Sequence, residues 1–174
     1  MMKKKGAKHI TVLAMLITIS LMLSYVETFI PVIPIPGAKI GLPNVVTLIA
    51  LMTLGFWEAL AITLIRTTIS ALLFSSMISL IYSLTGGILS LIVMYLLYRI
   101  FSEKISLQAI SITGAITHNL GQLAVAIFIL ATPGMISFLP WLIVIAIPAG
   151  IVVGLAAKYL MKYFKTTLAV KVDK

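Results

Sequence analysis

The residues of this chain that could do chemistry are few, and most of them stand inside apolar runs. Arg66 lies about nine residues into such a run. In an apolar membrane interior a charged side chain costs several kcal/mol, so Arg66 must face a partner, a cavity or a ligand. Arginine suits bidentate contact with a phosphate or carboxylate. An ion pair with Glu27 or Glu58 is the alternative, and we favour the ligand or cavity.

A second polar cluster stands in the segment Thr117–Gln122. His118 and Gln122 are four residues apart and Asn119 and Gln122 three apart, so on a helix they share a face. A polar seam between helices would explain them. Three hydrogen-bonding side chains within two turns favour instead a pocket shared with Arg66. No second histidine, cysteine or spaced carboxylate accompanies His118, so we predict no metal site.

Several kinds of chemistry are excluded by what the sequence lacks. There are only four carboxylates and no cysteine, which argues against acid-rich catalysis, disulfides and iron–sulfur clusters. No phosphate-binding Walker motif, dinucleotide fingerprint or Asp-rich diphosphate motif is present. We therefore expect a protein that is not itself an enzyme, needs no cofactor and does not hydrolyse ATP.

The composition identifies the environment in which these residues must work. Of 174 residues, 61% are hydrophobic and 10% are charged, whereas soluble domains have about 45–50% and about 25%. The mean hydropathy is +1.21. One span takes about 20 residues, so the length accommodates six. We predict an all-α integral membrane bundle of six transmembrane helices in a single domain, residues 1–174.

Breaks between apolar runs give the predicted spans. They are residues 10–30, 44–56, 58–74, 77–100, 105–131 and 138–162, separated by a Pro-rich loop at 31–43, Ser75-Ser76, Ser102–Ser106 and Thr132–Met135. The second run would be only about 20 Å long as a helix, against a hydrocarbon core of about 30 Å. This segment must be extended at one end, tilted or re-entrant.

Charge distribution predicts the orientation. With six spans, the lysines of the basic N-terminus (1–9) and the basic tail (163–174) share one side with Arg99 and Lys104, and Lys39 alone lies opposite. The positive-inside rule then places both termini in the cytoplasm. We expect a multi-pass protein of a bacterial cytoplasmic membrane whose basic excess contacts anionic lipids. Nothing in the sequence indicates nucleic-acid binding.

The loop at 31–43 holds four prolines and two glycines. It is either a lid over a cavity or a stiff connector. Lys39 and Asn44 flank its Gly41-Leu-Pro43 end, and Lys39 favours a lid that meets an anion. We expect Glu27 to brace this loop or to pair with Lys39.

The first span carries a stripe of small residues. Ala7, Thr11, Ala14 and Thr18 recur at helical spacing. Small side chains let helices approach closely, so packing within the bundle is the default interpretation. A docking face for a partner helix is the alternative.

Five sequence segments together resemble the Gx transporter family, which is also labelled heptaprenyl diphosphate synthase component I. They are Glu27-Thr28-x-x-Pro31, Pro34-x-Pro36-Gly37-x-Lys39-x-Gly41-Leu42-x-Asn44, Arg66-x-x-x-Ser70, Gly86-Gly87-x-x-Ser90 and His118-Asn119-x-x-Gln122. The resemblance runs from about Ser24 to Gly154. That family in turn resembles the S components of energy-coupling-factor (ECF) transporters.

The two family labels imply different functions. An S component binds a small molecule under outer loops and docks onto a transmembrane T component driven by two cytoplasmic ATPases. Its Ala-x-x-x-Ala docking motif corresponds here to Ala14-x-x-x-Thr18, which departs from the pattern. As a synthase component, the chain would be a non-catalytic membrane partner of a prenyl transferase. We expect the first: a substrate-binding subunit for a small anionic metabolite, with a flavin or a quinone or isoprenoid precursor as the guesses that the labels motivate.

The resemblance and the residues together give the expected site. Arg66 and Lys39 would neutralise the anionic group. The ligand would be oriented by His118, Asn119, Gln122 and Asn44. The direction of transport stays open.

Overall fold

The computed structural model describes residues 6–30, 41–101 and 104–167, and the regular structure within them is helical. The helices are α1 (Ala7–Glu27), α2 (Asn44–Thr53), α3 (Phe56–Phe74), α4 (Met77–Phe101), α5 (Leu107–Leu130) and α6 (Leu139–Thr167), with a 3₁₀ helix at Pro133–Phe138 before α6. The predicted all-α class is confirmed for the described residues.

Five of these helices are long and apolar enough to cross a membrane, all except α2. The chain is therefore a multi-pass membrane protein. The predicted second span is the ten-residue α2, about 15 Å long and about half the thickness of a bilayer core. It is a short helix, as its apolar run indicated.

Local chemistry explains where the helices begin and end. The Ser106 hydroxyl caps α5 by accepting a hydrogen bond from the Ala109 N–H at 3.1 Å, which satisfies one of the first-turn donors. Gly55, with φ of 106°, turns the chain from α2 into α3. Extended backbone at Ser75 ends α3, and Ala131 in the left-handed region ends α5. The predicted breaks at Ser75-Ser76 and Thr132–Met135 are confirmed.

Contacts at both extremities of α1 and α3 show that these helices run parallel. His9 Nε2 lies 3.6 Å from Glu58 Oε1 at one extremity, and the rings of Tyr25 and Phe74 are 5.4 Å apart at the other. We call the first extremity of the bundle the basic end, because Lys8, Arg99, Lys104, Lys158 and Lys162 belong to it. The opposite one, with the turn at 75–76 and the 3₁₀ helix, is the loop end.

Glycines bring α5 and α6 into close contact. A Cβ added at Gly150 would lie 2.5 Å from Ile112 Cα, and one at Gly154 would lie 2.7 Å from Gln108 Cα. Small residues at such crossings let helix backbones approach within a membrane, where packing rather than hydrophobic burial holds helices together. These contacts fix the register of α6 against α5.

The short helix α2 fills the interior of the basic half of the bundle. Every residue from Val45 to Thr53 is buried, and α2 contacts α1, α3, α4 and α6. Each of the other helices adds apolar side chains to this core, among them Leu16, Ile62, Leu91, Ile110 and Val153. We call this α2-centred core the apolar plug.

Candidate ligand-binding site

Most of the buried polar side chains occupy the other half of the bundle, from mid-depth towards the loop end. We call them the polar layer: Ser20, Ser24 and Glu27 of α1, Thr63, Arg66, Thr67 and Ser70 of α3, Ser83 of α4, and His118, Asn119 and Gln122 of α5. Four buried polar residues lie deeper, namely Thr47, Thr53, Ser90 and Ser111. In a membrane, buried polar side chains of this number mark a cavity or a set of interhelical bonds. Their hydrogen-bond partners distinguish the two.

Arg66 is buried with part of its guanidinium unsatisfied. Its side chain is 7% exposed, and its Nε has no hydrogen-bond partner among the described residues. Glu27 attracts it electrostatically. Glu58, the other expected partner, is at the basic end beside His9. Arg66 thus has a nearby opposite charge and an unused donor, which is what a ligand-facing arginine requires.

The cluster on α5 divides between two neighbouring helices. Gln122 and His118 face α4, since a Cβ at Gly86 would lie 3.0 Å from Gln122 Cγ and 3.1 Å from His118 Nδ1. Asn119 instead turns to α6, where its Nδ2 donates to the Leu142 carbonyl at 3.2 Å. Asn119 therefore makes the interhelical bond of a polar seam.

Gln122 has the least satisfied side chain of this cluster. It is 3% exposed, and neither its Oε1 nor its Nε2 has a hydrogen-bond partner in the described parts of the chain. A buried amide left in this state costs about 1–3 kcal/mol for each unsatisfied group. A ligand that both donates and accepts would remove that cost.

Two adjacent glycines of α4 set the relative depth of Arg66 and Gln122. Gly86 meets Gln122 on α5, and a Cβ at Gly87 would lie 2.9 Å from Thr63 Cγ2 on α3. Arg66 follows Thr63 by about one turn towards the loop end. The two polar groups therefore lie at similar depth on either side of α4.

Glu27 holds the chain segment that leads into α2. Its carboxylate accepts hydrogen bonds from the backbone N–H groups of Gly41 and Leu42. These donors precede the first turn of α2 and would otherwise be orphaned. This bracing is one of the two roles expected of Glu27. Lys39, the partner in the other, lies outside the described residues.

A pocket lies where α2 begins. It has room for about one water-sized group and is lined by Gly41, Asn44, Ser90, Met94, Ser111, Gly114, Ala115 and Val153. We call it the serine pocket. The hydroxyls of Ser90 and Ser111 have no hydrogen-bond partner among the described residues. Asn44 was a predicted site residue. Ser90 belongs to one of the segments that carry the family resemblance, but neither it nor Ser111 was predicted as a site residue, because serines in apolar helices are too common to signal a site.

The small-residue stripe of α1 faces away from the bundle. Ala7, Thr11, Ala14 and Thr18 are all exposed, and the buried face of the helix is formed by Val12, Leu16 and Ser20. The default interpretation, packing within the bundle, is therefore wrong. Both threonine hydroxyls donate to their own helix, at 3.0 Å to the Ala7 and Ala14 carbonyls, so neither needs an acceptor outside the helix.

The sequence was compared with known families and proteins. A family model described as heptaprenyl diphosphate synthase component I matches residues 16–160. The chain belongs to this family. The match begins within α1, ends within α6 and includes every residue of the polar layer and the serine pocket, and it confirms the family label reached from the sequence. Comparisons with curated proteins and with solved structures found no match.

Proposed function

We propose that this member of the heptaprenyl diphosphate synthase component I family is the substrate-binding, S-component-like subunit of an ECF-type ATP-driven transporter. Its substrate is a small anionic metabolite. The observation that carries the proposal is the pair of buried, unsatisfied side chains Arg66 and Gln122 at similar depth. Unsatisfied polar groups at this depth are costly, and a bound ligand accounts for them.

The residues of the proposed site have distinct roles. Arg66 binds the anionic group, with Lys39 contributing from the loop. Gln122 and His118 orient the ligand from α5. Asn44 approaches from the start of α2, and Glu27 holds that start in place. Asn119 supports the site indirectly by joining α5 to α6.

The division of the bundle supports access from one side. The apolar plug closes the basic half, whereas the polar layer extends towards the loop end on α1 and α3, through Ser24, Glu27 and Ser70. On the α4–α5 side the loop end is packed by a second apolar cluster that includes Tyr82 and Met135. If the basic end is cytoplasmic, as its lysines favour, the site opens to the exterior. We therefore propose six membrane segments with both termini cytoplasmic, of which α2 is the short one.

Energy must come from elsewhere, because the sequence has no nucleotide-binding motif. The exposed stripe around Ala14 and Thr18 is a suitable docking face for a T component carrying two cytoplasmic ATPases. Small residues on a lipid-facing surface allow a partner helix to approach closely.

The family description favours a second candidate. The chain would then be a non-catalytic membrane subunit that assists heptaprenyl diphosphate synthesis. The sequence lacks the Asp-rich motifs that hold magnesium diphosphate, so a separate prenyl transferase would supply the catalytic site.

The test is mass spectrometry of small molecules released from the gently purified protein. Wild-type protein should release one anionic metabolite in near-stoichiometric amount, and Arg66→Ala should release none. The matched control is Arg99→Ala, since Arg99 is exposed and its Nη1 donates to the Tyr95 hydroxyl of the same helix at 2.7 Å. Its metabolite content should equal that of the wild type.

Two results would overturn the binding-subunit proposal. One is equal metabolite content in Arg66→Ala and Arg99→Ala when both variants fold. The other is a ligand-free wild-type protein that co-purifies with a prenyl transferase and raises its activity, which would establish the second candidate.

A further inference from the structure

The serine pocket is a distinct part of the interior, set deeper than Arg66 and Gln122. Ser90 on α4 and Ser111 on α5 are 2% and 3% exposed. Both hydroxyls are without partners among the described residues, and both residues line the pocket together with Asn44. Burying these hydroxyls without hydrogen bonds destabilises the fold, unless a bound group forms hydrogen bonds with them.

Gly114 keeps this space open. A Cβ at Gly114 would lie 2.7 Å from Met94 Sδ and 3.1 Å from Ser90 Oγ. Any other residue would therefore push Met94 and Ser90 aside or fill the room between them. The pocket depends on a small residue at this crossing of α4 and α5.

The chemistry of the pocket favours an uncharged hydrogen-bond acceptor. None of its lining side chains is charged. Two serine hydroxyls and the Asn44 amide can all donate, and the start of α2 adds the positive end of a helix dipole. Met94, Ala115 and Val153 surround these donors with apolar surface.

We infer that the serine pocket is the deep end of the ligand site and holds a neutral acceptor of the ligand, such as a carbonyl oxygen. This inference rests on the proposed function and narrows the substrate class. The ligand is elongated, with an anionic group at Arg66 and a neutral carbonyl-bearing end between Ser90 and Ser111.

The helix register gives the length that such a ligand needs. Thr63 meets Gly87 at one depth. From there Arg66 lies one turn towards the loop end and Ser90 one turn towards the basic end, so the two levels are about 9 Å apart along the bundle. Gly41 is close to both levels. It lines the serine pocket, and its backbone N–H donates to the carboxylate of Glu27, which attracts Arg66.

The test uses single cysteines, for which the cysteine-free chain is well suited. Ser90→Cys and Ser111→Cys place nearly isosteric thiols in the lining of the pocket, one on α4 and one on α5. The probe is methyl methanethiosulfonate, a small neutral thiol reagent, applied to purified protein. Each cysteine is compared with the same cysteine combined with Arg66→Ala. The control is Ala157→Cys, a fully buried position in the apolar plug.

The expected result is slow modification of both pocket cysteines when Arg66 is present and faster modification when it is replaced. If nine-tenths of the molecules hold ligand, the difference is about tenfold, because only the empty fraction reacts. Ala157→Cys should stay unreactive in both backgrounds, which shows that the bundle has not opened.

Failure of the inference and failure of the proposed function give different results. If released metabolite depends on Arg66 but the pocket cysteines react equally in both backgrounds, or not at all, the ligand does not reach the pocket and the inference is wrong. If no metabolite is released from the wild type and the cysteines again react equally, both proposals fall.

Discussion

Replacing Gly86 by alanine tests the link between helix packing and the ligand site. The added Cβ would lie 2.7 Å from the His118 backbone oxygen and 3.0 Å from Gln122 Cγ. Ordinary contacts of a Cβ begin near 3.4 Å, so α4 and α5 must separate by several tenths of an ångström. The clash is with backbone, which no side-chain rotation can relieve.

The energetic effect is the difference between two terms. Overpacking lowers the free energy of unfolding by about 1–3 kcal/mol. Alanine raises it by about 1 kcal/mol, because alanine has a higher helix propensity than glycine. With a backbone clash the cost falls in the upper part of its range, so we expect a net destabilisation of about 1–2 kcal/mol. Because His118 and Gln122 are the residues displaced, bound metabolite should be lost as well.

Thermal unfolding followed by tryptophan fluorescence, with metabolite content measured on the same samples, gives both readouts. Gly87→Ala should have an intermediate effect, since its Cβ meets only the Thr63 methyl at 2.9 Å. Gly134→Ala is the matched control, because nothing lies within 4 Å of its added Cβ. If Gly86→Ala and Gly134→Ala have the same melting temperature and Gly86→Ala keeps its metabolite, our account of the α4–α5 contact is incorrect.

Three further predictions follow from local contacts. Glu27→Gln keeps the shape of the side chain but replaces charged acceptors by a neutral one, which weakens the bonds to Gly41 and Leu42 by about 1 kcal/mol; amide hydrogen exchange at both residues should accelerate. Ser106→Ala removes the α5 cap and should cost about 1 kcal/mol of unfolding free energy, measured against Ser106→Thr. Lys39→Cys and Glu103→Cys should react with a membrane-impermeant thiol reagent from opposite faces of the membrane, as the proposed topology requires.

Each of these predictions has a result that contradicts it. Unchanged exchange at Gly41 and Leu42 would mean that Glu27 does not brace the start of α2. Equal stability of the alanine and threonine variants at position 106 would show that the side-chain cap does not stabilise α5. Labelling of both cysteines from the same face would exclude the arrangement of six membrane segments.

The sequence predicted those features that depend on neighbouring residues. Helix breaks at Ser75-Ser76 and Thr132–Met135 arise from local backbone chemistry, which a sequence carries directly. The short second segment followed from its length alone. The inward position of Arg66 followed from the cost of placing a charge among lipids. All of these features could be predicted without information on which helices are neighbours.

Features that depend on which helix face points inward were not predictable in the same way. In a helix that is apolar all round, hydropathy does not distinguish the lipid-facing side from the buried side. The stripe at Ala14 and Thr18 was therefore assigned first to the bundle interior, and it is exposed. Asn119 was grouped with Gln122 by spacing, yet its amide bonds to α6. Predicting the serine pocket would have required the relative positions of four chain segments, because its lining comes from the start of α2 and from α4, α5 and α6.

Charge balance in the polar layer explains why the expected ligand is an anion. Arg66 contributes one positive charge, and the start of α2 adds roughly half a charge as the end of a helix dipole. Glu27 contributes one negative charge and interacts with both, through the N–H groups of Gly41 and Leu42 and through its attraction for Arg66. A net positive potential therefore remains where low dielectric makes it strong.

The length of α2 decides where that potential lies. A full-length span would extend apolar side chains through the level of Arg66 and leave no room for a ligand. Ten residues fill only the basic half of the bundle, so the positive start of α2 is at mid-depth, below Arg66 and beside the serine pocket. The short helix thus fills the basic half of the bundle and leaves the other half to the polar layer, where we propose that the ligand binds. In the proposed function a ligand enters past the loop end, and its release towards the basic end requires the plug or the whole bundle to move.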